Sequence, residues 1–175
     1  MTKKGMYMLI FETERLMLRH LVSSDLDQLF ALYRDPDIRR YFPDKTLTYE
    51  QTKEELDWFL HGHPKHPELG LWATIHKATN QFIGRCGLLP WTIKQQFEVE
   101  VAYLLDKAFW GQGLATEAAQ GIVDYAFTKL GRERLICLIE PENVASIQVA
   151  KRIGMAFERA EEDDHGVYHI YARGR

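Results

Sequence analysis

Residues 15–21, RLMLRHL, alternate apolar with polar side chains, which predicts a strand with one covered face. The period then changes. Leu26, Leu29, Phe30, Leu32 and Tyr33 recur at helical spacing, with Ser23 or Ser24 as the expected N-cap and Asp35-Pro36 as the stop. A second helix is expected from Thr48, because Thr48 and Gln51 form a capping-box pair and Leu56, Phe59 and Leu60 share one side of it. Strand character returns over residues 71–76 and 82–89, on either side of an Ala78-Thr79-Asn80 turn. Gly84 and Gly87 allow sharp twist or a close neighbour there, and Pro90 is expected to end the second strand. With residues 99–105 as the next strand, the three make an antiparallel meander.

Residues 114–130 then carry Leu114, Ala118, Ile122 and Ala126 on one helical stripe, closed by Gly131. Residues 134–140, RLICLIE, are apolar nearly throughout, as befits a strand covered on both faces. Strand, crossover helix and strand make one right-handed parallel unit joined to the meander. A short helix capped by Asn143 and stopped by Gly154 follows, then a hairpin of residues 157–162 and 167–172 around the acidic turn EEDDHG. The expected fold is mixed α/β: a single twisted, mostly antiparallel sheet with one central parallel pair and helices on both faces.

At 175 residues, 46% hydrophobic and 12% aromatic, the chain fills one core, and no linker or repeat divides it. A single domain over residues 1–175 is expected. The net charge of −3 gives no concentrated basic face, so nucleic acid is not an expected partner. Cys86 and Cys137 each sit in an apolar strand-like run and read as reduced thiols of a cytoplasmic protein. Lys3 and Lys4 precede an apolar run, residues 6–11, that is too short for a secretory signal, and nothing approaches the roughly 18–20 apolar residues of a membrane span. His61, His63 and His66 crowd a loop with Pro64 and Pro67, which lacks the scaffolding a metal site needs, so no metal is expected. The acidic turn reads as solvated, and His165 and His169 as residues without chemistry.

The segment with chemistry in it is residues 98–119, EVEVAYLLDKAFWGQGLATEAA. A strand, a turn on Gly111 and Gly113, and a helix aim several backbone N–H groups and a helix dipole at one point, which suits phosphate. A P-loop is excluded, because Leu114 and Ala115 follow Gly113 where Lys and Ser or Thr are required. A dinucleotide site stays open, with Thr116 in the third small slot and Glu140 ending the next strand. It ranks second, because that fold repeats the parallel unit and this chain does not.

Gly113-Leu114-Ala115 also fits the second half of Gln/Arg-x-x-Gly-x-Gly/Ala, with Trp110 where Gln or Arg would stand. On these residues the chain resembles the GCN5-related N-acetyltransferase (GNAT) superfamily, in which this pattern marks the acyl-CoA pyrophosphate loop. Phe109-Trp110-Gly111-Gln112-Gly113, Glu12-Thr13-Glu14-Arg15-Leu16 and Asp35-Pro36-Asp37-Ile38 resemble its RimJ/RimL branch, which acetylates protein N-termini and other amines. Asn143-x-x-Ser146, a short helix and Gly154-Met155 are similar to the second CoA-binding segment. The resemblance runs from Glu12 to the last strand.

It implies acetyl-CoA as co-substrate, held where the two central strands part, and an amine acceptor, either a protein N-terminus or a small molecule. The pyrophosphate falls to Trp110, Gly111, Gln112, Gly113, Leu114, Ala115 and Thr116, the thioester to the backbone near Leu104 and Leu105, and the cofactor arm to Asn143 and Ser146. Transfer is direct within a ternary complex, by a monomer or a homodimer. An amine acceptor is largely protonated at neutral pH, so a base is required. Glu98 and Glu100 share one strand face, and Glu100 stands first, in the Glu-x-x-Tyr position with Tyr103 following. Many family members protonate the leaving thiolate with a Tyr on the helix after the Asn; residues 144–153 contain none, which leaves Ser146, Tyr103 or a water. Two other classes stay open: a CoA-binding sensor without transfer, and a dinucleotide-binding oxidoreductase.

Overall fold

A computed structural model describes residues 8–175; Lys3, Lys4 and the start of the 6–11 run lie outside the described residues. The chain begins with a short strand that its alternation does not announce, β1 (Leu9–Glu12), antiparallel to β2 (Leu16–His20). Helix α1 (Leu26–Tyr33) follows, but neither serine caps it. A 3-10 turn over Ser23–Asp25 comes first, and the buried Asp25 carboxylate accepts the Val22 N–H at 2.9 Å while Arg19 grips it at 2.8 Å. Helix α2 (Tyr49–Phe59) starts as expected, with Thr48 Oγ1 accepting the Gln51 N–H at 3.2 Å and Gln51 Oε1 accepting the Thr48 N–H at 2.9 Å.

Strands β3 (Gly70–His76), β4 (Gln81–Ile93) and β5 (Gln96–Leu105) form the expected meander. Pro90 does not end β4. Pairing with β3 stops at Leu88, so Pro90 lies where β4 has a neighbour on one side only and the missing N–H is tolerated. The strand runs on to a two-residue turn in which Lys94 and Gln95 both take positive φ, 47° and 68°. Such a turn ordinarily calls for Asn-Gly, and Lys-Gln gives no such signal.

Helix α3 (Leu114–Thr128) crosses from β5 to β6 (Arg134–Ile139), burying Leu114, Ala118, Ile122 and Ala126 as the stripe requires. Helix α4 (Val144–Arg152) and the hairpin β7 (Ala156–Asp163) and β8 (Gly166–Gly174) complete the chain. Among the described residues the strands make one eight-stranded sheet, in the order β1-β2-β3-β4-β5-β6-β8-β7. It is antiparallel except between β5 and β6, whose register pair is Glu100 and Ile136; the strands part beyond it.

The two faces of the sheet carry separate cores. Leu16, Trp72, Cys86, Val101, Leu135 and Cys137 pack under α3, whereas Leu71, Ala73, Ala102 and Leu104 pack with Leu29, Tyr33 and Leu56 of α1 and α2. Successive side chains of β5 therefore face opposite halves of the molecule. Cys86 and Cys137 are both buried and free. Among the described residues no helix is long and apolar enough to cross a membrane.

Candidate active site

The turn between β5 and α3 is braced at both ends. Asp106 Oδ1 accepts the Ala108 N–H at 2.8 Å, and the Trp110 indole folds back to donate Nε1–H to the Leu105 carbonyl at 2.9 Å. Trp110 is thus a prop for the strand end, with 52% of its surface still exposed. Gly111 and Gly113 take φ of 73° and 77°, the left-handed region that glycine enters without strain. Gly113 is the N-cap, and the helical ladder begins with the Glu117 N–H on the Gly113 carbonyl at 3.0 Å. The N–H groups of Leu114, Ala115 and Thr116 precede it and have no partner within the helix.

A clamp from the other end of the chain holds this turn. Arg15 donates Nη1–H to the Gln112 carbonyl at 2.9 Å and Nε–H to Glu117 Oε2 at 2.6 Å. Glu117 Oε1 accepts the Arg15 N–H at 2.7 Å and the Thr13 hydroxyl at 2.6 Å. Burial would raise the Glu117 carboxyl, but the Thr13 hydroxyl and the Arg15 amide and guanidinium hold it below its ordinary value. Sequence reasoning missed Arg15 and Glu117 as parts of the site, since 97 and 102 residues separate the partners.

Glu98 and Glu100 do share the face of β5 that looks toward α1 and α2, yet their surroundings differ. Glu98 is 3% exposed, and Arg134 donates to both its oxygens at 3.1–3.2 Å while also binding Glu158 at 2.8 Å. Its lone pairs serve an ion-pair network that ties β5 and β6 to β7. Glu100 stands at the fork. Trp91 donates Nε1–H to its Oε2 at 2.6 Å, and burial pushes its carboxyl up to about 7 against the opposing pull of that hydrogen bond and of Arg85.

The backbone beyond the fork divides its amides between the two neighbouring strands. The Asp106 N–H donates to the Ile83 carbonyl of β4 at 2.7 Å, and N–H direction alternates along a strand, so the Leu104 amide also turns to β4. Tyr103 and Leu105 are the residues whose amides face the parting. Leu104 contributes its side chain to the core under α1 and α2 instead. The Tyr103 ring points to the α3 side, where its hydroxyl donates to the Ser146 carbonyl at 3.0 Å and lies 2.9 Å from Ser146 Oγ. Burial raises the Tyr103 phenol well above its ordinary value, so it stays protonated. Asn143 caps α4, its Oδ1 accepting the Ser146 N–H at 3.2 Å.

Two of the three loop histidines are drawn into ring contacts, His63 with His66 at 5.7 Å and His66 with Phe97 at 5.1 Å. Among the described residues no group of three or more His, Cys, Asp or Glu is placed to hold a metal.

A sheet opened at its one parallel pair, beside a glycine turn whose first helix amides have no partner within the helix, suits a phosphate-bearing ligand. The family profile described as acetyltransferase (GNAT) domain matches residues 15–156, and the chain belongs to that family, whose acyl donor is acetyl-CoA. It is 36% identical over 165 residues to YkkB of Bacillus subtilis (strain 168), covering 92% of this chain and 93% of that protein. It is 32% identical over 149 residues to spermidine N(1)-acetyltransferase of Escherichia coli (strain K12), covering 81% and 73%. The fold matches that of the ribosomal-protein acetyltransferase RimL in its complex with coenzyme A, with a TM-score of 0.78 at 18% identity over 95% of this chain and 97% of that one.

Proposed function

We propose that the protein acetylates a primary amine by direct attack in a ternary complex, with an α-amino group, as at a protein N-terminus, as the acceptor. The observation that carries this reading is the Glu100 carboxyl, poised near neutrality at the fork of β5 and β6. Acetyl-CoA supplies a thioester carbonyl. The free amides of Leu114, Ala115 and Thr116, with the turn of Trp110, Gly111, Gln112 and Gly113, fit its diphosphate, and Asn143 and Ser146 fit its arm. Glu100 takes the acceptor's proton, directly or through a water. The Tyr103 and Leu105 amides stabilise the carbonyl oxygen as it gains charge. Tyr103 and Ser146, hydrogen-bonded to each other, protonate the departing sulfur. Glu98, held by Arg134, orders the strand rather than the proton.

The base also sorts acceptors. Moving a proton to a carboxylate at about 7 is a small uphill step from an α-ammonium of pKa about 8 and a much larger one from an alkylammonium at about 10.4. A polyamine is the second reading, favoured by the similarity to the spermidine enzyme. The buried free thiols support a cytoplasmic setting. CoA release measured over N-terminal peptides, amino acids and polyamines tests the assignment: α-amino acceptors should turn over fastest. Acetyl-CoA binding without turnover would point to a sensor, and an NAD(P)-linked absorbance change without CoA binding to an oxidoreductase.

Arg15 is expected to act through the turn it holds. Arg15→Met removes the guanidinium's bonds to Gln112 and Glu117 while keeping the backbone N–H bond to Glu117, and should weaken acetyl-CoA binding about three- to tenfold, with kcat at saturation retained. Equal dissociation constants by calorimetry would reject the clamp.

A further inference from the structure

We infer that the acceptor carries a carboxylate near its amine and that the buried guanidinium of Arg85 receives it. This rests on the acetyl-transfer reading above. Arg85 lies on the same sheet face as Glu100, opposite Leu104 in the β4–β5 register, while Leu89 lies opposite Glu100. Between those two rows stand Gly87 and Ala102, paired with each other; Gly87 is covered by the Gly70 carbonyl of β3, which a Cβ there would meet at 1.9 Å. The rows are four residues apart, about 13 Å of strand. The arginine and glutamate side chains are long enough to approach each other across that span, and the Arg85 charge pulls the Glu100 carboxyl down against its burial.

Arg85 is 4% exposed and donates Nε–H to the Tyr33 hydroxyl at 2.9 Å; that hydroxyl donates in turn to Glu55. Its two Nη nitrogens donate to no acceptor among the described residues. A guanidinium has five N–H donors, and the Arg85 Nη nitrogens are not among the buried side-chain atoms left without a partner, so they remain within reach of solvent and of a ligand. A second cation reinforces the field. Arg39, 2% exposed, stacks 4.2 Å over Phe42 and 5.0 Å over Tyr33, and gives only its Nε–H, to the Lys45 carbonyl at 2.7 Å. Glu55 is the one carboxylate hydrogen-bonded into this cluster among the described residues. Two buried guanidinium groups repel the further ammonium groups of a polyamine, and an arginine fork matches a carboxylate with two parallel bonds.

The carboxylate has two possible sources, an acidic side chain beside a peptide N-terminus or the α-carboxylate of a free amino acid. Calorimetry on the CoA-saturated protein separates them without needing turnover. A peptide headed Ala-Asp is compared with one headed Ala-Asn, and alanine with alaninamide. The acid member of at least one pair should bind at least about tenfold tighter, and that pair names the source. Equal binding within both pairs, or tighter binding of spermidine than of any acid, overturns the inference. Arg85→Gln should erase the preference and Arg85→Lys reduce it; a folded Arg85→Gln protein that keeps the preference overturns the assignment to Arg85. Since Arg85 also ties α1 to the sheet, the wild-type comparison stands even where a variant fails to fold. An acid preference in binding with no CoA release for any amine would reject transfer while upholding the carboxylate site.

Discussion

Glu100→Gln is expected to lower kcat/KM at least about 100-fold, the lower end of what a positioned general base contributes. The amide keeps the shape and can still accept the Trp91 N–H, so acetyl-CoA affinity should not change. The pH profile carries the sharper signature. With its carboxyl at about 7, wild-type activity rises with pH through that value as the base deprotonates, on top of the rise from the acceptor's own ionisation. The variant should show the acceptor's ionisation alone. The same group gives a stability prediction with a fixed sign. A carboxyl raised in the fold contributes stability that is full below its ordinary value, 4.5, and lost as pH rises through about 7. Glu100→Gln should therefore have the higher Tm at pH 8, with the difference closing below pH 4.5. A variant with wild-type rate and profile would remove Glu100 as the base.

Gly113→Val should weaken acetyl-CoA binding about 100-fold while leaving the protein folded. Space is not the obstacle, since an added Cβ would meet nothing closer than Arg15 Nη2 at 3.6 Å. The obstacle is φ of 77°, where a β-branched residue is a severe outlier. The turn relaxes, the first amides of α3 swing away, and the loss of two charge-assisted hydrogen bonds at about 1.5–3 kcal/mol each accounts for the expected effect. The change should appear in the dissociation constant far more than in Tm. A dissociation constant near that of wild type would mean that the diphosphate sits elsewhere.

Local signals were legible wherever one element decides for itself. The Thr48–Gln51 box, the α3 stripe and the left-handed glycines of the turn each follow from neighbours in sequence, and so did the strand-helix-strand unit. Contacts made in space were not. Nothing in Ser23 or Ser24 warned that a 3-10 turn would precede α1, with the Asp25 carboxylate, fixed by Arg19, turned back to the Val22 N–H. The Lys94–Gln95 turn hid the length of β4, and with it the place of Trp91 beside Glu100. Alternation put Glu98 and Glu100 on one face and only the Glu-x-x-Tyr likeness ranked Glu100 first; Arg134, from the next strand, is what separates their surroundings. Which amides near Leu104 and Leu105 face the parting depends on the register with β4, which neighbours in sequence do not show.

Glu100 is both the residue at which β5 and β6 stay joined and the one whose side chain holds the proposed base. Its chemistry therefore tolerates no insertion or deletion in β5 upstream of the fork. Slipping the strand by a single residue would send that carboxylate into the oily layer beneath α3 and bring Val101 to the acceptor's side. Descendants of this sequence are free to lengthen their surface loops, but the count of residues from the Lys94–Gln95 turn to Glu100 should not vary among those that keep the same machinery.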